Sequence, residues 1–156
     1  MFPLMTTPRT SSTRRPTDLL LGLTGALLTL LILNLAVFDD LRTDPSAGFL
    51  ETFTKPQHLS SIVAVLLALI LVAVRHRTAL RVAAVVAWIE IAAFTFFHAV
   101  PAEIGPSKPY WGDGMADPLQ WVGLLSILAV SAAIVTAARR AQTDARMPAA
   151  IASTPA

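Results

Sequence analysis

The sequence predicts an all-α integral membrane protein, a four-helix transmembrane bundle with both termini on the cytoplasmic side. Three observations predict it. Apolar residues make up 54% of the 156-residue chain and charged residues only 14%, against roughly 45–50% and about 25% in soluble domains. The apolar surplus is gathered into four runs, which lift the mean hydropathy to +0.63. The basic residues collect beside alternate ends of those runs. A soluble enzyme and a disordered chain both fit this composition poorly.

The first run, Leu19 to Phe38, carries no formal charge over twenty residues. At about 1.5 Å per residue it crosses a hydrocarbon core of about 30 Å. A second span covers about 57–74, with Pro56 in the first turn, where its missing N–H is harmless. The third covers about 80–100 and is interrupted by one carboxylate, Glu90. The fourth covers about 118–138, opened by Pro118 and closed by Arg139 and Arg140. Inside lipid every backbone polar group must pair within its own segment, so these runs are expected to be helices. The transmembrane domain is thus expected over 17–140, with the second and third spans forming an antiparallel hairpin across a very short connection. The polar tails, 1–16 and 141–156, lack a periodic apolar face and are expected to be disordered in the cytoplasm.

Arginine and lysine set the orientation. Arg9, Arg14, Arg15, Arg75, Arg77, Arg81, Arg139, Arg140 and Arg146 fall on one side, against Arg42, Lys55 and Lys108 on the other. The second side instead holds Asp39, Asp40, Asp44, Glu51, Glu103, Asp113 and Asp117. Thr13-Arg14-Arg15 ahead of Leu19 could suggest a twin-arginine signal. The run is longer than an h-region of about 7–15 residues and no small-x-small cleavage site follows, so a retained anchor is the better reading. Ten arginines against two lysines, with abundant alanine, suggest a GC-rich bacterial genome and hence the plasma (inner) membrane.

Glu90 is the most informative residue. At mid-span an ionised carboxylate costs at least about 2.5–3.5 kcal/mol on insertion scales, so it is expected to face the bundle interior, protonated or paired. It reads either as a proton carrier, ion ligand or general acid–base group, or as a neutral carboxyl hydrogen-bonded to a neighbouring helix. Thr29, Ser126 and Ser131 lie at similar depth, with Asn34 nearer the outer surface. His98 follows two turns later, beyond Phe94 and Phe97, either as the mouth of a polar path or as an interfacial histidine. Asn34, Glu90, Phe94, His98 and Trp111 are the candidate ligand-binding residues, and Glu90 and His98 the catalytic candidates. Trp88 is expected to be lipid-facing or packing bulk.

His58 and His98, with the outer carboxylates, are the candidate metal ligands by type, but no HxxxH or HxxE spacing supports them, and no metal or cofactor is expected. His76 lies on the opposite side. The connection from Pro101 to Trp121 carries Tyr110, Trp111 and Trp121 as a headgroup belt, a lid, or an anchor for a protein partner. The absence of cysteine excludes disulfides and thiolate chemistry. No GxSxG, P-loop, GxGxxG or HExxH motif is present, and the basic residues abut apolar runs without the interleaved aromatics that nucleic acid would require. Alanines recur at four-residue spacing, Ala64/Ala68, Ala83/Ala87 and Ala129/Ala133/Ala137, a pattern that allows close helix approach.

These features favour a non-enzymatic role: an accessory or stabilising subunit of a larger membrane complex, in contact with lipid and with a membrane-protein partner or a second copy. The alternative is a bundle that binds, converts or transports a quinone, sterol-like lipid, proton or ion through Glu90 and His98. The orientation is tested by single cysteines introduced at Ser46, Thr78 and Ser107. A membrane-impermeant thiol reagent applied to intact cells is expected to label positions 46 and 107 and to spare 78; labelling at 78 overturns the orientation.

Overall fold

The structure, a computed structural model, describes residues 14–38, 46, 48–100 and 117–152. Four of its helices are long and apolar enough to cross a membrane, which makes this a multi-pass membrane protein. They are α1 (Arg14–Leu33), extended by a π-helical segment over Asn34–Phe38, α3 (Pro56–Ala73), α4 (Ala79–His98) and α5 (Pro118–Ala152). A short helix, α2 (Phe49–Phe53), precedes α3. The described residues contain no strand.

Each long helix packs against its sequence neighbours, and α5 returns to close against α1, giving a ring in the order α1, α3, α4, α5. Helices that follow one another in sequence are thus also adjacent in space, as short connections require. The core is one stripe per helix at three- and four-residue spacing, alternating on every long helix but α3. On α1 it runs Leu20, Thr24, Leu27, Leu31 and Asn34; on α3, Ile62, Val65, Ala68 and Val72. On α4 it runs Ala79, Ala83, Val86 and Glu90, and on α5 Leu124, Ile127, Ser131, Ile134 and Ala138. This 3–4 alternation keeps a seam facing its neighbours along nearly parallel helix axes. The opposite faces are as apolar as the core: Leu67, Ile70, Val85, Trp88, Ile89 and Leu125 are all exposed. In water such a surface would aggregate; against hydrocarbon it is the matching solvent.

Local signals explain the helix ends. Asp117 caps α5, its Oδ1 accepting from the backbone N–H groups of Leu119 (2.9 Å) and Gln120 (3.2 Å). The Gln120 Oε1 accepts from the Asp117 N–H at 3.0 Å, completing a reciprocal capping box around Pro118. Between α3 and α4 the chain reverses through Arg75 at φ 53°, the left-handed region usually given to glycine. The His76 N–H reaches the Leu71 carbonyl (2.9 Å) and the Arg75 N–H the Val72 carbonyl (3.0 Å), a Schellman motif that satisfies two terminal carbonyls. Arginine there costs about 1 kcal/mol relative to glycine and places a cation at the basic end, 3.7 Å from Asp18 of α1. Both partners are well exposed, so the pair adds little stability.

Two features differ from the sequence expectation. The connection between α1 and α3 holds a helical turn, α2, whose Phe49 and Phe53 rings stack at 5.9 Å and whose Thr52 is fully buried. Once Phe53 packs against the bundle core, the turn gains the tertiary contact that so short a helix needs. The other difference is at the C-terminus. Helix α5 continues beyond Arg140 to Ala152, where composition alone suggests a disordered tail. The stretch is rich in alanine, the strongest helix former, and extends a helix already nucleated in the bundle.

The arrangement sets a contrast between neighbouring positions on α5. Replacing the fully buried Ile127 by alanine is expected to cost about 1–3 kcal/mol, below the ~2–5 kcal/mol of soluble cores because no water-transfer component is lost. Replacing exposed Leu125 by alanine is expected to leave stability within about 0.5 kcal/mol. Thermal unfolding of both variants in one detergent checks this.

Candidate functional site

Glu90 occupies a core-stripe position of α4, one turn beyond Val86 and Ala87, and is 0% exposed. Its helix turns it inward because the flanking residues at that level, Ile89 and Ala92, take the outward directions. Ser61 on α3 is the hydroxyl that faces the carboxyl, yet the two do not meet hydrogen-bond geometry, and neither Glu90 oxygen has a partner among the described residues. Ser131, in the core stripe of α5, is likewise 0% exposed with its Oγ unpartnered. An unpaired buried polar group costs about 1–3 kcal/mol. Retaining several in one core calls for water, a ligand or a proton-transfer role.

The end of the bundle opposite the basic one holds a second group. The π-helical segment makes Asn34 and Leu35 face inward together, and Asn34 Oδ1 is buried without a partner. A π-turn inserts a residue into the helical repeat and recurs at functional positions. It packs here against Gly123 of α5. A Cβ on Gly123 would stand 2.8 Å from Asn34 Oδ1 and 2.9 Å from Phe38 Cβ, so glycine is required for the two backbones to approach. Thr52 of α2 is buried with its Oγ1 unpartnered, while its backbone carbonyl lies 2.8 Å from the His58 Nδ1. That contact sets the elbow between α2 and α3.

His98 ends α4, half-buried, with its Nδ1 turned into the protein. It lies about 12 Å from Glu90 along the helix axis, so the two do not touch. Phe94 stands between them, one turn from each, packed on the core with its ring 5.6 Å from the imidazole. Glu90, Phe94 and His98 therefore share one side of α4, as their spacing suggested. Phe97, about 20° from Glu90 around the helix, points the same way but is exposed near the end of α4.

The structure sorts the remaining candidates. Thr29 is exposed and bonds back to the Gly25 carbonyl at 3.1 Å, so it is no partner for Glu90. Thr24 takes the core position on α1, its hydroxyl donating to the Leu20 carbonyl at 2.6 Å. Ser126 is only half-buried. Trp88 is half-exposed, and the Arg139 guanidinium lies 5.8 Å from its ring centroid, joining α4 to α5 at the basic end. Ala68, Ala83 and Ala87 are buried in helix contacts, whereas Ala129 faces outward. Trp121 is half-buried in the first turn of α5. Tyr110 and Trp111, with Glu103 and Asp113, lie outside the described residues. Among those described, no three metal-ligating side chains gather, so His58 and His98 form no metal cluster there.

Thr24, Thr52, Ser61 and Gly123 escaped the sequence reading. The signal for Thr24 was its place three and four residues from Leu27 and Leu20. Nothing local marked the other three. Comparison with protein-family models, curated proteins and solved structures finds no match for this chain.

The close approach at Gly123 is testable. Gly123→Ala is expected to destabilise the bundle by about 1–3 kcal/mol, because the Phe38 Cβ cannot rotate away. Gly22→Ala, where nothing lies within 4 Å, is expected to be neutral. Paired melting curves in detergent distinguish the two.

Proposed function

We propose that the protein handles a proton within the membrane, with Glu90 as the exchanging group and the His98 side of the bundle as the route to the outer water. A fully buried carboxyl with both oxygens unpartnered, in the core seam of a lipid-facing bundle, carries this reading. Ser61, Ser131 and Asn34 supply further polar atoms along the interior, and His98 places an imidazole at the mouth. Phe94 stands across the route between mouth and centre, so a proton reaches Glu90 only when that ring moves or water passes it. In this reading the chain sits in the plasma (inner) membrane with both termini cytoplasmic, as the arginine distribution favours.

A second reading, a non-catalytic accessory subunit of a larger membrane complex, is favoured by the broad apolar faces of α3 and α4. Leu67, Ile70, Val85 and Ile89 can meet another membrane helix as readily as lipid. Mild-detergent extraction at native expression is expected under this reading to recover a stoichiometric partner that is lost when Tyr110 and Trp111 become alanine. A monodisperse chain with no partner removes it.

The proton reading is tested on the purified protein in vesicles enclosing a pH-sensitive dye. Wild type is expected to pass protons down an imposed gradient. Glu90→Gln, which keeps shape and hydrogen bonding, is expected to fold normally and abolish the flux, and His98→Ala to reduce it. The infrared spectrum is expected to show a protonated carboxylic C=O band that Glu90→Gln removes. Full flux in Glu90→Gln, or no flux in wild type, sinks the reading and leaves Glu90 as packing glue.

A further inference from the structure

A groove of about 560 Å³ runs between α1 and α5 at the basic end of the bundle, away from Glu90. Its lining includes Leu19 and Leu23 of α1 and Ala133, Ala137 and Ala141 of α5, with Arg140 and Asp144 among the residues bordering it. The groove exists because three alanines at four-residue spacing leave α5 without bulk where α1 presents leucines. From Ala133 to Arg140 it covers about 10 Å of helix, enough for the upper part of one acyl chain in a single leaflet of a ~30 Å hydrocarbon core, and Arg140 to Asp144 adds about 6 Å at the rim. Its volume falls in the ordinary range of about 300–1,000 Å³ for small-molecule sites.

The charged residues narrow the occupant. Arg140 and Asp144 stand one helical turn apart on the same face, both exposed, and no ion pair joins them among the described residues. The neighbouring Arg139 is engaged with Trp88 of α4, and Asp18 of α1 lies against Arg75, so neither competes for this rim. A cation nearer the bilayer centre and an anion about 6 Å farther out match a headgroup whose phosphate lies inward of an ammonium. A purely anionic headgroup would satisfy Arg140 and meet repulsion from Asp144. A quaternary ammonium would reach Asp144 but could donate no hydrogen bond to it.

We propose that this groove is a site for a phospholipid with a primary-ammonium headgroup, one acyl chain lying on Ala133, Ala137 and Ala141, its phosphate on Arg140 and its ammonium on Asp144. The site rests on α1 and α5 alone and is independent of the role of Glu90.

Native mass spectrometry of the detergent-purified full chain tests it, with phosphatidylethanolamine, phosphatidylcholine and phosphatidylglycerol of identical acyl chains added in turn. Wild type is expected to retain phosphatidylethanolamine at least roughly threefold over the other two, the scale of one exposed ion pair. Asp144→Asn is expected to abolish that preference while leaving lipid retention, and Arg140→Gln to lower retention of all three. Ala137→Leu, which fills the floor and keeps both charges, is expected to lower all three as well, with helicity by circular dichroism unchanged. Equal retention of the three lipids by wild type, or a preference that survives Asp144→Asn, overturns the proposal. So does a dimer that excludes lipid, which would assign the groove to a second copy of the chain.

Discussion

The constraint on which the rest of this structure depends is that its outer solvent is hydrocarbon. A polar side chain within a span has two stable solutions, and both are used. It can turn into the bundle, as Thr24, Asn34, Glu90 and Ser131 do. It can instead remain outside and bond to its own helix, as Thr29 does to the Gly25 carbonyl (3.1 Å) and Thr136 to the Ala132 carbonyl (2.8 Å). A carboxylate lacks the second option because it has no short reach to a backbone donor in mid-helix, where every N–H is already taken. Glu90 must therefore lie inside, and the seam of α4 is built around that requirement.

Association inside lipid gains little from expelling water, so the helices hold together by close contact and a few polar links. The end opposite the basic one shows the close contact: Gly123 admits the π-helical turn of α1, and that turn brings Asn34 into the interior. The basic end shows the links. A Schellman turn on Arg75 ends α3, and Arg139 lies over Trp88 to join α4 to α5. The two ends differ in kind because one is shaped by packing and the other by charges that stay near water.

The interior and the lipid-facing groove divide the chemistry of the molecule. Buried Glu90, faced by Ser61 of α3, and buried Ser131 of α5 are polar groups in an otherwise apolar ring. The α1–α5 groove makes an apolar furrow with charges at its rim. The first is where the proposed proton would be held, and the second is where the proposed lipid would lie.

The number and approximate bounds of the spans, the hairpin of α3 and α4 and the inward direction of Glu90 were legible in the amino-acid sequence. These follow from hydropathy, chain length and the insertion cost of a carboxylate, all of which act locally along the chain. The shared side of Glu90, Phe94 and His98 was also legible, because helical periodicity fixes it within one element. The choice of Thr24 over Thr29 as the inward threonine was not, although the two differ by only five residues on the same helix. Which face of α1 turns inward depends on where α3 and α5 stand, and hydropathy is nearly uniform around that helix. The facing of Ser61 toward Glu90, the seating of Thr52 beneath α2 and the need for glycine at 123 belong to the same class. Each is a meeting between separate helices, so only the tertiary packing could decide it.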